Sequence, residues 1–122
     1  MFIIYIMKLD AMMIIHLFHI LFVVPLFLYV GIKGTSIPKI MFPFLLGLGV
    51  FVMVYHFYLA YKKTIGGQSA WINYIHALIV GPLLVYIGYY GIDTSRKFFE
   101  ILLMLGMAAL GYHGYYLVKS FL

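Results

Sequence analysis

The sequence predicts an all-α fold: a polytopic membrane bundle of four helices, running up-down-up-down. Three observations carry that prediction. Two thirds of the 122 residues (66%) are hydrophobic against 9% charged; apolar stretches of membrane-spanning length recur four times; and the second half of the chain repeats the first. Such a composition is far more apolar than a water-soluble domain tolerates, and four spans of roughly 20 residues use nearly the whole length. The chain is therefore expected to form a single transmembrane domain over residues 1–122.

The spans are expected at about 11–32, 40–61, 70–92 and 98–118, each long enough to cross roughly 30 Å of hydrocarbon as a helix. The first is too long for the apolar core of a signal peptide and is not followed by a small-residue cleavage site. Between the spans lie 33–39, 62–69 and 93–97, short and rich in Gly, Ser, Thr, Pro and charge. Connections of this kind join antiparallel neighbours and place both termini on one side. Sidedness is not predicted, because the cations balance. Lys8, Lys62, Lys63 and Lys119 fall on the side of the termini, and Lys33, Lys39, Arg96 and Lys97 on the other. Tyr29, Tyr86, Tyr89 and Tyr90 at one end, with Tyr58, Tyr61, Trp71 and Tyr115 at the other, form a double aromatic belt.

Displacing the sequence by 57 positions superposes one helical hairpin on the next without a gap. Residues 14–63 then match 71–120 at 18 of 50 positions. The matched pairs include His19 with His76, Pro25 with Pro82, Tyr29 with Tyr86, Gly31 with Gly88, Gly34 with Gly91, Gly49 with Gly106, Tyr55 with Tyr112 and His56 with His113. A tandem duplication, with repeats over about 11–63 and 70–120, predicts a pseudo-twofold axis along the membrane normal.

Several function classes are excluded. Without cysteine there is no disulfide, thiolate metal site or thiol nucleophile. The formal charge of +5 is scattered over the ends of the apolar segments, which suits interfacial anchors and not nucleic-acid binding. Asp10, Asp93 and Glu100 lie at helix ends, so no buried acid relays protons. The lysines lie too near the ends for a retinal Schiff base, and neither a potassium-channel filter nor a hydrolase triad can be assembled. No reaction is assigned.

Histidine carries what chemistry remains, since ionisable residues inside a membrane are costly and mark functional sites. His19 and His76 lie several residues inside the starts of spans 1 and 3, and His56 and His113 several residues before the ends of spans 2 and 4. Antiparallel connection brings all four into one layer near the termini. Neutral imidazoles projecting from facing helices are what a bundle-core metal or haem site needs. His16 pairs with Asn73 in the repeat, so it is expected behind the ligands, with Tyr55 and Tyr112. Gly49 and Gly106 lie two turns from His56 and His113 on the same stripes. They would admit either a macrocycle or a neighbouring helix, and Ala108, Ala109, Gly111 and Gly114 favour packing for part of that pattern. Pro25 and Pro82 are expected to kink spans 1 and 3 beyond the histidines.

The four-helix arrangement of His19, His56, His76 and His113 resembles membrane b-type cytochromes, although no diagnostic linear motif accompanies it. The resemblance implies haem b as cofactor and electron transfer as activity. One departure matters: di-haem members place ligand pairs toward both membrane faces, whereas these candidates share one layer, so a single haem or a compact His-ligated metal ion is the expectation. Residues 102–116, with the Ile-, Phe-, Tyr- and Lys-rich composition, also resemble short membrane proteins of large DNA viruses, which would imply a virion- or host-membrane role. Two alternatives stay open: a structural or assembly protein without cofactor, whose histidines only fix packing, and a small transporter or channel gated by the histidine layer. The expected partner is the lipid bilayer; a redox partner and self-association are compatible with the pattern.

Overall fold

The computed structural model describes residues 10–122; residues 1–9 of the expected domain, Lys8 among them, lie outside the described residues. Four helices carry the chain: α1 (Ala11–Ser36), α2 (Met41–Ile65), α3 (Trp71–Asp93) and α4 (Arg96–Lys119), with no strand among the described residues. Asp10 opens α1 by accepting the Met13 amide at 2.9 Å, an N-cap that satisfies one of the donors a helix start leaves unpaired. At their far ends α1 and α3 tighten into 3-10 turns, Gly34–Ser36 and Gly91–Asp93. Gly34 and Gly91 there adopt φ of +58° and +56°, a conformation that favours glycine. The helices therefore run a few residues past the expected span limits at most ends.

All four helices are long and apolar enough to cross a membrane. Only 17–28% of the most apolar window of each is buried inside the fold, so most of the apolar surface points outward. Leu21, Phe22, Phe51, Val54, Leu78 and Met104 lie on that outer surface.

Helix α1 packs along α4, and α2 along α3. Small residues set these contacts, as expected where apolar surroundings supply no hydrophobic drive between helices. A Cβ on Gly31 would stand 2.8 Å from the Leu103 Cβ and 2.9 Å from its backbone nitrogen; one on Gly88 would run into the backbone of Leu46. Gly88 and Leu103 lie 57 residues beyond Gly31 and Leu46. Between the pairs sits a core from all four helices, including Phe27, Val30, Leu45, Leu84, Ile87, Phe99 and Leu102.

The largest local departure from regular helix falls on the histidines. Residues His19–Val23 and His76–Val80 are π-helical, with the amides of Val24 and Gly81 reaching back five residues to the His19 and His76 carbonyls. The next residues are Pro25 and Pro82. Proline has no amide hydrogen and its ring crowds the carbonyl four residues earlier, and widening the preceding turn relieves that crowding. The proline effect was expected beyond the histidines; it runs backward along the helix and reaches them.

Candidate metal centre

The packing of α1 on α4 and α2 on α3 stacks the histidines in two pairs. His19 and His113 lie face to face with ring centroids 4.1 Å apart and planes 16° from parallel. His76 and His56 stack at 4.3 Å and 18°. Across the centre, His19 meets His76 edge-on at 6.1 Å and 82°. His113 is buried, and the other three are half-buried. All four sequence-predicted ligands are thus together in one layer.

Three of them converge further. His19, His76 and His113 each place a ring nitrogen within 4.8 Å of the other two. With metal–nitrogen distances of about 2.0 Å, ligands of a tetrahedral ion stand roughly 3.3 Å apart, so side-chain rotations that close the nitrogens by up to about 1.5 Å would seat an ion. His56 is outside this trio.

Hydrogen bonds fix the proton positions on two rings. The Nδ1 of His19 lies 2.7 Å from the Ile15 carbonyl, and the Nδ1 of His76 lies 2.7 Å from the Ile72 carbonyl. A carbonyl only accepts, so each Nδ1 donates its hydrogen and each neutral ring keeps its Nε2 lone pair. An imidazole anchored through one N–H to a backbone carbonyl, with the other nitrogen turned to the metal, is the usual arrangement of a metal-ligating histidine.

Of the residues expected behind the ligands, His16 and Tyr112 lie against His113 of the trio, and Tyr55 lies against His56 outside it. His16 is buried, and its Nδ1 lies 2.9 Å from the Nδ1 of His113. Tyr55 and Tyr112 set their rings edge-on to His56 and His113, at 5.4 Å and 5.1 Å. Two residues that sequence reasoning passed over complete the layer. Buried Asn73 donates from Nδ2 to the Nδ1 of His56 at 3.1 Å, and its Oδ1 accepts from the Nζ of Lys63 at 2.8 Å. Asn73 lies 57 residues beyond His16, the same offset that separates His19 from His76, and that spacing was the available signal. Lys63 offered none, since it reads as one more interfacial anchor beside Lys62.

A cavity of about 490 Å³ adjoins the layer, lined by the four histidines, Tyr55, Tyr112, Trp71 and apolar side chains from all four helices. Ala108 and Ala109 line it, whereas Gly49 and Gly106 do not. A Cβ on Gly49 would come within 2.7 Å of the Gly81 carbonyl oxygen, and one on Gly106 within 3.1 Å of the Phe27 Cβ. Of the two readings open for these glycines, the structure displays helix packing. Gly111 and Gly114 have open space where a Cβ would go.

Compared with protein-family models, with curated proteins and with solved structures, the chain matches none.

Proposed function

We propose that this chain is a multi-pass integral membrane protein whose up-down-up-down bundle binds one transition-metal ion through His19, His76 and His113, and that the ion serves electron transfer or redox sensing. The observation that carries the reading is the convergence of three ring nitrogens within 4.8 Å, two of them on rings whose Nδ1–H is already given to a backbone carbonyl. Imidazole donors without thiolate suit copper, iron, nickel or zinc, and three ligands leave a coordination position open. Copper or iron would supply the redox chemistry. The protein would hold neutral nitrogens around the ion, and apolar walls would limit water.

A bare ion suits the His19–His76–His113 trio better than haem. A haem held by His19 and His76 would need the space beside their ring nitrogens that the ring nitrogen of His113, within 4.8 Å of both, occupies. His113 would have to leave the cluster to admit a haem.

We further propose that the bundle arose by duplication of one hairpin and retains a pseudo-twofold axis along the membrane normal. Support comes from contacts that recur at a spacing of 57 residues. His19–His113 recurs as His76–His56, His19–Ile15 as His76–Ile72, Gly31–Leu103 as Gly88–Leu46, and both π-turns lie at corresponding positions.

The test is metal analysis of the full chain, purified in detergent and reloaded with Cu(II), Zn(II) or Co(II) after chelation. One ion per chain is expected, falling to a small fraction in a His19→Ala/His76→Ala double variant. A visible spectrum after expression with ample haem gives the haem reading its chance. No stoichiometric ion and no haem band would reduce the layer to a packing device.

A further inference from the structure

The two halves of the layer are alike in their rings and unlike in what stands behind them. Behind His113 is His16; behind His56, at the corresponding place, is Asn73. The Asn73 amide has a fixed orientation. Lys63 is an ammonium donor with no acceptor, so the atom it reaches at 2.8 Å must be the amide oxygen. The amide nitrogen therefore faces His56 and can only donate, and the Nδ1 of His56 must accept. In a neutral imidazole the hydrogen then sits on Nε2. Among the described residues no hydrogen-bond partner is found for that Nε2–H, and His56 lines the cavity.

His113 is under no such constraint. The repeat position of Lys63 is Ser120, which bonds the Leu117 carbonyl, and His16 can take either role toward the Nδ1 of His113. His113 is thus able to donate from Nδ1 to His16 and offer Nε2 to an ion. Geometry points the same way, since His113 belongs to the converging trio and His56 does not.

We propose that the Lys63–Asn73 pair locks His56 in its Nε2–H tautomer, so that His56 is no fourth metal ligand but a hydrogen-bond donor to a small anionic or oxygen ligand at the open position of the centre. This rests on the three-histidine metal reading above. The ring of His56 stacks face to face on that of ligand His76, with centroids 4.3 Å apart, and lines the same cavity. A lone pair there would compete for the ion and close the open position. An N–H on His56 would leave the position open and favour an occupant that accepts a hydrogen bond, such as hydroxide or azide.

Two measurements on the full chain in detergent micelles separate this proposal from the reading beneath it. The first needs no metal: ¹⁵N spectra of the histidine rings in chelated protein, with His56 assigned by its loss in His56→Phe. Wild type and Lys63→Arg should show His56 protonated on Nε2 and bare on Nδ1. Lys63→Met frees the amide to turn over and should move His56 toward the Nδ1–H form. A wild-type His56 protonated on Nδ1, or a ring unmoved by Lys63→Met, overturns the lock. The second loads Co(II) and titrates azide. His56→Phe should keep one cobalt per chain and the wild-type cobalt spectrum while binding azide about tenfold more weakly, the loss expected for one hydrogen bond to a charged group. Loss of cobalt from His56→Phe makes it a ligand and overturns the proposal, as does unchanged azide affinity. A wild type that takes up no cobalt overturns the metal reading and the role of His56 with it, while the nitrogen spectra still decide the tautomer.

Discussion

Two glycines on one helix should respond oppositely to the same substitution. In Gly49→Ala the new Cβ comes within 2.7 Å of the Gly81 carbonyl oxygen and of the Val85 nitrogen on α3. These are backbone atoms, so no rotamer change relieves the contact. Ordinary contact begins near 3.4 Å, and α2 and α3 must part locally by about 0.7 Å. Overpacking of this kind costs about 1–3 kcal/mol. In Gly47→Ala, two residues away, the Cβ meets nothing within 4 Å, and replacing a mid-helix glycine should stabilise by roughly 0.5–1 kcal/mol. Gly106→Ala belongs between them, because its nearest contact, the Phe27 Cβ at 3.1 Å, is less tight than the 2.7 Å contacts of Gly49. Thermal or SDS-induced unfolding in a fixed detergent reads the order Gly47→Ala above wild type, then Gly106→Ala, then Gly49→Ala. Gly49 is seven residues, roughly 10 Å, from His56. Spreading α2 from α3 should therefore also disturb the His56–His76 stack. A Gly49→Ala protein as stable as Gly47→Ala would refute the argument that close backbone approach holds these helices together.

Other consequences are accessible to direct measurement. Pro25→Ala together with Pro82→Ala returns two amide hydrogens and removes the reason for the π-turns, so metal affinity should fall about 10- to 100-fold, the range seen when support behind a ligand is lost. Isothermal titration against wild type reads the change. Replacing His16 by Leu leaves the Nδ1 of His113 without its partner at 2.9 Å and should weaken metal binding by a similar factor, whereas Tyr55→Phe, whose ring makes the contact with His56, should leave it unchanged. Because the chain lacks cysteine, single introduced thiols report topology cleanly. In sealed vesicles, Ser36→Cys and Ser95→Cys should react with an impermeant reagent from one side and Ser69→Cys from the other; a mixed pattern would overturn the up-down-up-down reading.

How far the residues alone reach differs between levels of this fold. Four long apolar helices follow from transfer free energy and helix rise, which are one-dimensional properties of the chain; the observed helices overlay the expected spans with shifts of a few residues. The shared depth of His19, His56, His76 and His113 follows in the same way, because counting residues from a span end fixes a height in the bundle. Lateral relations do not follow. Every face of these helices is apolar, so periodicity cannot say which face meets which neighbour. The stacking of His19 on His113 and His76 on His56 is instead set by backbone contact at Gly31, Gly49 and Gly88. The π-turns were hidden because a proline's missing amide acts on carbonyls earlier in the helix, and whether the chain kinks or widens there depends on packing. Lys63 is the clearest case. As a residue type at a span end it reads as an anchor, and only the fold carries its ammonium to Asn73, where it orients an amide and thereby the proton of a histidine on its own helix. Hydropathy and length thus settle how many helices there are and how deep each histidine lies, and carbonyls one turn back in the same helix fix the protons of His19 and His76; contacts between helices settle the partners of His56 and His113, since those hydrogen bonds depend on ångström-scale distances that no spacing along the chain encodes.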